Sequence, residues 1–530
     1  MLMGRAPMSF RLNSQDSKDI PSRESRLRDL ADRKEELQLR REVVASKLEK
    51  LDYKIIQTKA EYGALYNETA PILNLPIEIL CRVFEAAHSA SFADGIPNNP
   101  LIEVIISHVC RGWRSIALSL PSLWSTFRHD ASELPERIPV DRLVAYLERS
   151  GSRLLDLHFA FAESVLSEGS LALFNSMLES TITHVAHWRR FSLFSDGDVP
   201  ILSFCNRLQH LEALNLEYFT MCPNTDNSLE GLEEPETLVF DELSPSVFLG
   251  GAPKLFYVRL DPTCPSKYLP PFSNVTVLRL EDDSFDLDIW NFGSYSTFLE
   301  ILALPSLSSL SIVGEMFSKP DSPHSSKITM NNLKHLRYGA DDNLIVHFLP
   351  FLLAPLLETL ILNNIELPLP PSPFPEFMQP FSKLHSLELL HCIDTDTGFF
   401  TSFAALTPNI INLTIIDNPD FSSICHNMVK QLNKEGTTLW PNVKVLTGIL
   451  LNEDSLNHYI NFAEMFKNPE LIICIGASFA NDWRFMDPES YELLQPICIL
   501  EQMPPGKRLV SWPPGVDVPA EDDYFTIEFY

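Results

Sequence analysis

The sequence predicts an α/β chain: a long amino-terminal helix, a small all-helical unit, then an irregular solenoid of short strand-bearing repeats. Three observations predict it. From Leu27 to Leu65 apolar residues recur at heptad spacing with no intervening proline. Between Leu75 and Trp124 large apolar residues recur at helical spacing in a segment too short to enclose them all. Further on, a proline stands two residues before an aliphatic that opens the same short pattern at Pro253 and Leu255, Pro305 and Leu307, Pro355 and Leu357, Pro408 and Ile410, and Pro441 and Val443.

Residues 1–22 are polar and irregular and read as a flexible tail. In the next span, 23–70, one seam is Leu27, Lys34, Arg41, Leu48, Ile55 and Tyr62; the other is Leu30, Leu37, Val44, Leu51, Thr58 and Leu65. At 1.5 Å per residue this predicts one helix of about 60 Å, stopped by Pro71. Two readings stay open for it: a coiled-coil homodimer, or a solvated helix that folds back on its own body. Lys34 and Arg41 sit at seam positions where burying a charge is costly, which counts against the dimer.

In residues 72–128 Pro76 suits a first helical position, and Leu75, Ile79, Leu80, Val83 and Phe84 follow on one helical face. A second helix is expected to carry Ile105, Val109, Trp113, Ile116 and Leu120 as one stripe, before Pro121 turns the chain into Ser122-Leu123-Trp124. These residues resemble an F-box: Leu75-Pro76 with Glu78-Ile79-Leu80 and Val83-Phe84, then Val109-Cys110-Arg111-Gly112-Trp113-Arg114, Ile116-Ala117 and Pro121-Ser122-Leu123-Trp124. The arrangement is similar to that of a large group of fungal F-box proteins. The resemblance implies a three-helix motif that docks on a Skp1-type adaptor and through it on a cullin. By motif position the adaptor-binding residues would be Leu75, Pro76, Ile79, Leu80, Val83, Phe84, Val109, Cys110 and Trp113. The span between the two motif blocks is about ten residues longer than in the shortest F-boxes, which puts one edge of the docking surface in doubt.

Repeats are expected over residues 138–480, followed by a cap and acidic tail over 481–530. Leu154-x-x-Leu157-x-Phe159 and Trp188-x-x-Phe191-x-Leu193 read as degenerate first copies; clearer units open at Leu211, Leu255, Val275, Leu307, Leu333, Leu357, Leu384, Ile410 and Val443. From Leu307 to Ile410 the spacings are 26, 24, 27 and 26, within the leucine-rich-repeat range; the spacings of 44, 20, 32 and 33 elsewhere imply insertions. Strand alternation then turns Leu387 and Leu389 inward and Ser386, Glu388 and Leu390 outward. In the turn after the strand, where such repeats carry Asn or Cys, only Cys392 and Asn418 fit. An irregular leucine-rich-repeat-like solenoid is therefore expected, with a different α/β array as the alternative.

Composition narrows the function classes. Residues 1–60 carry 14 Lys/Arg against 10 Asp/Glu, so the remainder holds a formal charge of −33 against −29 for the whole chain. So acidic a body repels phosphate backbones and anionic lipid, which disfavours nucleic acid and membrane surfaces as partners. Nine cysteines without a Cys-x-x-Cys fit neither a disulfide framework nor a zinc module and read as reduced thiols. No apolar leader opens the chain, and Leu344–Leu362, interrupted by His347, Pro350, Pro355 and Glu358, reads as buried helix and strand. An intracellular protein, cytoplasmic or nuclear, is expected, so the glycosylation sequons at Asn67, Asn274 and Asn412 read as chance matches.

Neither a phosphate-cradling glycine loop nor an H-E-x-x-H or G-x-S-x-G signature occurs, so no enzyme, catalytic residue, cofactor or metal is expected. His184-x-x-His187 and the His391-Cys392 pair lack a third ligand at any marked spacing. The acidic stretch Glu230–Glu242 reads as a solvated loop or a cradle for a basic segment, and Pro368–Pro375 as a stiff connector or a polyproline ligand. The expectation that results is a substrate-recognition subunit of a Skp1-cullin-F-box ubiquitin ligase whose repeats hold an unknown target protein. Its alternative is a non-catalytic scaffold or signalling protein outside any ligase.

Overall fold

The computed structural model describes residues 23–67, 71–93, 101–130, 139–161, 168–195, 201–223, 243–261, 268–281, 293–314, 316–320, 326–339, 344–367, 380–394, 399–416, 439–449, 460, 463, 464, 466, 468, 470–486, 488–494, 496–503 and 512–514. The expected tail, the Glu230–Glu242 and Pro368–Pro375 segments and Asn418 lie outside them. The chain divides into two units, Met1–Val83 and Phe84–Tyr530, a boundary that falls inside the helix spanning residues 77–93.

The first unit is dominated by α1, Arg23–Asn67, which at 1.5 Å per residue is about 68 Å long. Its heptad positions Leu30, Leu37, Val44 and Leu51 are each more than half exposed. A short 3₁₀ turn, Pro71–Asn74, leads into α2, Ile77–Ala93, whose first turn closes with Leu80 N–H donating to Pro76 O at 3.1 Å.

In the second unit the expected single helix is two: α3, Ile102–Val109, and α4, Arg111–Ser119. Cys110 breaks it. Its backbone is extended (φ −156°, ψ 171°) and its sulfur accepts from Trp113 N–H at 3.4 Å, so it caps the second helix. The Pro121–Trp124 turn then runs directly into a strand, so the sheet starts ahead of residue 138, where repeats were expected to begin.

The strands of the main sheet are β1 Thr126–Asp130, β2 Leu155–Phe161, β3 Trp188–Ser195, β4 Tyr218–Pro223, β5 Tyr257–Leu260, β6 Val277–Glu281, β7 Ser309–Val313, β8 His335–Gly339, β9 Thr359–Asn363, β10 Ser386–Leu390, β11 Asn412–Ile416, β12 Val445–Ile449, β13 Ile472–Gly476 and β14 Ile499–Met503. They form one parallel sheet in chain order, so each pairs with the strands before and after it. The sheet thus reaches past residue 480, where a cap was expected. Parallel neighbours need crossovers, and several carry helices: Pro139–Ser150 before β2, Glu168–Ile182 before β3 and Ile201–Leu208 before β4. The Leu344–Leu362 segment is a short helix, Ile345–Phe348, a 3₁₀ turn, the two-residue strand Leu352–Leu353 and most of β9.

Register aligns one buried row across the sheet: Phe191, Phe219, Val258, Leu278, Leu310, Leu336, Leu360, Leu387, Leu413 and Leu446. At its start the row is aromatic, with Phe191 and Phe219 stacked at 6.1 Å; later it is aliphatic. This face is the core, and Leu387 and Leu389 lie on it.

The recurrent proline has a local cause. In each of the turns Ala252–Leu255, Leu304–Leu307, Ala354–Leu357 and Trp440–Val443 the opening aliphatic N–H donates to the carbonyl three residues back, at 3.1, 3.4, 3.1 and 3.2 Å. Proline stands second in these turns, where its fixed φ is favoured. The unit assigned to Leu211 is out of frame for the same reason: its turn is Ala213–Leu216, so Leu216 opens β4 while Leu214 is exposed. Asparagine just before the opening aliphatic binds a carbonyl of the preceding unit: Asn215 to Ala186 at 2.9 Å, Asn274 to Pro253 at 3.0 Å, Asn332 to Pro305 at 2.7 Å, Asn409 to Ser382 at 2.7 Å and Asn442 to Pro408 at 3.3 Å. At the other end of the strands, Asn364 (φ 52°) and His391 (φ 50°) exit in the left-handed region and donate to Leu390 O and Ile416 O. Cys392 follows, its thiol bonded to Leu362 O at 3.4 Å.

Candidate functional site

In the first unit, Leu75, Pro76, Ile79 and Val83 are exposed, Ile79 at 48%. Residues 75, 76, 79 and 83 share one side at helical spacing, so α2 presents an apolar stripe to solvent. Leu80, one position on, is 5% exposed. It is a core residue and does not belong to an adaptor-facing set.

Phe84 is likewise corrected. It is buried and lies 4.8 Å from the half-buried Trp113 ring, so it packs within its own unit. Helix α3 has a mixed buried face. It buries Ile106 together with Glu103 and Ser107, while Ile105 (43%), Val109 (49%) and Leu101 at its amino terminus (39%) are exposed. Cys110 is half-buried as the helix cap.

The buried polar residues of α3 have partners. Tyr146, on the Pro139–Ser150 helix, donates to Glu103, and Ser107 Oγ donates to Val104 O at 2.7 Å. Burial raises the Glu103 carboxyl, against the bond from Tyr146 and the charge of Arg142, which lower it. Tyr146 also meets Trp124 and Phe127 edge-on at 5.1 and 5.5 Å, and the Arg142 guanidinium lies 4.2 Å over Phe127. This cluster joins α3 to the first strand. Ile105 and Leu101 are docking candidates that motif matching passed over; the signal was their i, i+4, i+8 spacing with Val109.

The second candidate is the sheet face opposite the leucine core, where Ser386, Glu388 and Leu390 lie. It is covered too: Glu388 is 9% exposed and Leu390 2%. At its centre Arg259, Arg279 and Arg337 are fully buried around Glu281. Arg279 donates to Glu281 at 2.6 Å, Arg337 at 2.6 Å, and Arg259 lies 3.6 Å away. Ser311 Oγ donates to the same carboxylate at 2.5 Å and accepts from Arg337 Nε at 2.8 Å. Burial alone would raise the Glu281 carboxyl; the guanidinium groups of Arg279, Arg337 and Arg259 outweigh it and hold the group far below the usual carboxylate range.

Trp512 joins this face. It is buried with Tyr218, Tyr257, Val277, Ile361, Leu390 and Ile416, and the Arg337 guanidinium carbon sits 4.4 Å from its ring centroid.

Among the described residues no group of three or more His, Cys, Asp or Glu is arranged to hold a metal. The His184 and His187 ring centroids are 6.5 Å apart, and burial, with the charge of His187, lowers the His184 pKa. Burial pushes the Cys392 thiol up to about 12 and that of Cys498 to about 11, away from thiolate chemistry. No described helix is long and apolar enough to cross a membrane. The chain matches no protein-family model and no curated protein.

Proposed function

We propose that this protein is the substrate-recognition subunit of a Skp1-cullin-F-box ubiquitin ligase. The F-box-like helices anchor it to a Skp1-type adaptor, and the parallel ladder, an irregular leucine-rich-repeat-like solenoid, holds the target. One observation carries the reading: α3 buries Glu103, Ile106 and Ser107 yet leaves Leu101, Ile105 and Val109 in solvent. A helix sorted this way gains by meeting an apolar partner, at about 1.5–3 kcal/mol for each large side chain covered, before ordering costs. The exposed Leu75, Pro76, Ile79 and Val83 of the first unit support the same partner, because they stand at the motif positions. The chemistry asked of the chain is positional. Holding a target beside a separate enzyme's thioester raises its effective concentration and requires no nucleophile here.

The test is co-purification from gentle lysates. Wild-type chain is expected to retain a Skp1-type protein, and Ile79→Asp or Ile105→Asp to lose it with unchanged circular dichroism. A wild-type chain that retains no such adaptor overturns the proposal. The exposed heptad seam of α1 favours a second reading, a scaffold that oligomerises through this helix outside a ligase.

A further inference from the structure

One stretch of the edge where the chain enters the strands gathers exposed cations around an apolar residue. Along it, Ile411 N–H donates to His385 O at 2.8 Å and Lys444 N–H to Ile411 O at 2.9 Å. His385, Ile411 and Lys444 therefore stand on successive rungs, just ahead of β10, β11 and β12, and with Lys383 they line an open groove of about 630 Å³. All four are exposed, and among the described residues neither lysine side chain has a hydrogen bond or an ion pair. We propose that this groove binds an extended acidic segment of the target protein, with carboxylates three residues apart and an apolar side chain between them. The inference deepens the proposed function, and rests on it, by naming the class of target segment the ladder takes.

Charge and spacing select this occupant. Residues 61–530 carry a formal charge of −33, so most of the surface repels an acidic peptide, and capture requires a place where cations stand together. The groove is such a place, and carboxylates bound it at both ends. Glu358, whose carbonyl accepts from His385 N–H at 3.1 Å, lies one rung before His385; Glu470, the only carboxylate among the described lining residues, lies one rung beyond Lys444. These ends fix the register. Neighbouring strands are about 4.8 Å apart and an extended chain advances about 3.3 Å per residue, so the two rungs from His385 to Lys444 correspond to about three peptide residues. One carboxylate meets Lys383 and His385 and the next meets Lys444, while the side chain between them lies over Ile411, which is 38% exposed. Both charge contacts form at a rim open to water, which makes the binding salt-sensitive.

The experiment uses the full chain and fluorescein-labelled synthetic peptides, followed by anisotropy at low ionic strength. The probe is four copies of Glu-Leu-Ser, which sets carboxylates three apart with leucine between them. One control replaces every glutamate with glutamine, and a second keeps the composition but makes the glutamates consecutive. Wild type is expected to bind the probe and to bind each control about tenfold more weakly. Lys383→Ala combined with Lys444→Ala is expected to weaken probe binding about tenfold and Ile411→Ser about threefold, while Lys254→Ala, at the same edge outside the groove, leaves it unchanged. A wild type that does not bind the probe, equal binding of either control, unchanged affinity in either groove variant, or an equal loss in Lys254→Ala overturns the inference. Circular dichroism is expected to match wild type because the substituted side chains are exposed. Should the alanine pair fail to fold, Lys383→Gln combined with Lys444→Gln removes the charges and carries the same comparison. Adaptor co-purification is read in parallel. Peptide capture without a retained adaptor overturns the ligase reading and leaves this one standing; a retained adaptor without peptide capture overturns this one alone.

Discussion

Ile79 and Leu80 are neighbours in the chain, and a helix turns them to opposite environments. An aspartate at 79 meets water and is expected to leave folding intact; Leu80→Asp places a charge where 5% of the side chain is accessible and is expected to lower the melting midpoint markedly. Equal melting of the two variants would contradict the orientation of α2. Tyr146→Phe removes the phenol that donates to buried Glu103 and should cost about 1–3 kcal/mol in chemical denaturation. At Glu281 the sign of the pH effect follows from its environment. Three guanidinium groups depress its folded pKa, so its contribution is full above the ordinary value of 4.5 and is lost as pH falls below it. Melting midpoints between pH 7 and pH 3 check this, and Glu281→Gln should flatten the dependence while costing about 3–5 kcal/mol at neutral pH, because the arginines lose their buried counter-charge.

Among the elements, the strands depend on the turns that precede them. Proline in second place shapes some of these turns, asparagine in third ties others to the unit before, and the turns at Ile410 and Val443 have both. Replacing Asn274, Asn332, Asn409 and Asn442 together with Ala removes four side-chain bonds to carbonyls. At about 0.5–1 kcal/mol each the expected loss is about 2–4 kcal/mol in denaturant titration, and an unchanged midpoint would show that water replaces these bonds without cost. Leu387→Asp, on the core row, should damage the sheet itself, and an unaltered melting curve would reverse the assignment of its faces. Periodicity in the sequence was enough to place strands from β5 to β12. It failed at β4, where Leu211-x-x-Leu214 mimics an opening that the turn at Leu216 takes instead, at β1 and β14, and at β13, although Pro469 stands two residues before Leu471 as in the earlier units. The single long stripe from Ile105 to Leu120 failed as well, because a capping sulfur at Cys110 redirects the backbone in a way that apolar spacing does not record.

For the whole molecule, the amino-terminal helix is the open question that a mass measurement answers. Its seam residues are exposed along their length, which suits either a solvated helix or a pair; if α1 pairs, the full chain sediments as a dimer and Leu37→Lys combined with Leu51→Lys returns it to monomer. A monomeric wild type would remove the dimer and with it the support for a scaffold. The acidic balance of residues 61–530, set against the basic excess of residues 1–60, makes any contact between these parts salt-sensitive, so the measurement belongs at both low and physiological ionic strength.

Taken alone, the amino-acid sequence determined the long helix, the helical spacing of Leu75, Ile79 and Val83 and the alternation that sends Leu387 and Leu389 into the core, because these follow from spacing along the chain and need no distant partner. Tertiary structure alone decided which motif residues are covered, since Leu80 and Phe84 differ from Ile79 and Val83 only in what packs against them. It also decided that the outer sheet face is closed: Trp512 stands 175 positions from Arg337, counting by residue number, and no local pattern connects the two. Burial is a property of the packed chain, and residues far apart in sequence supply the surface that excludes the water.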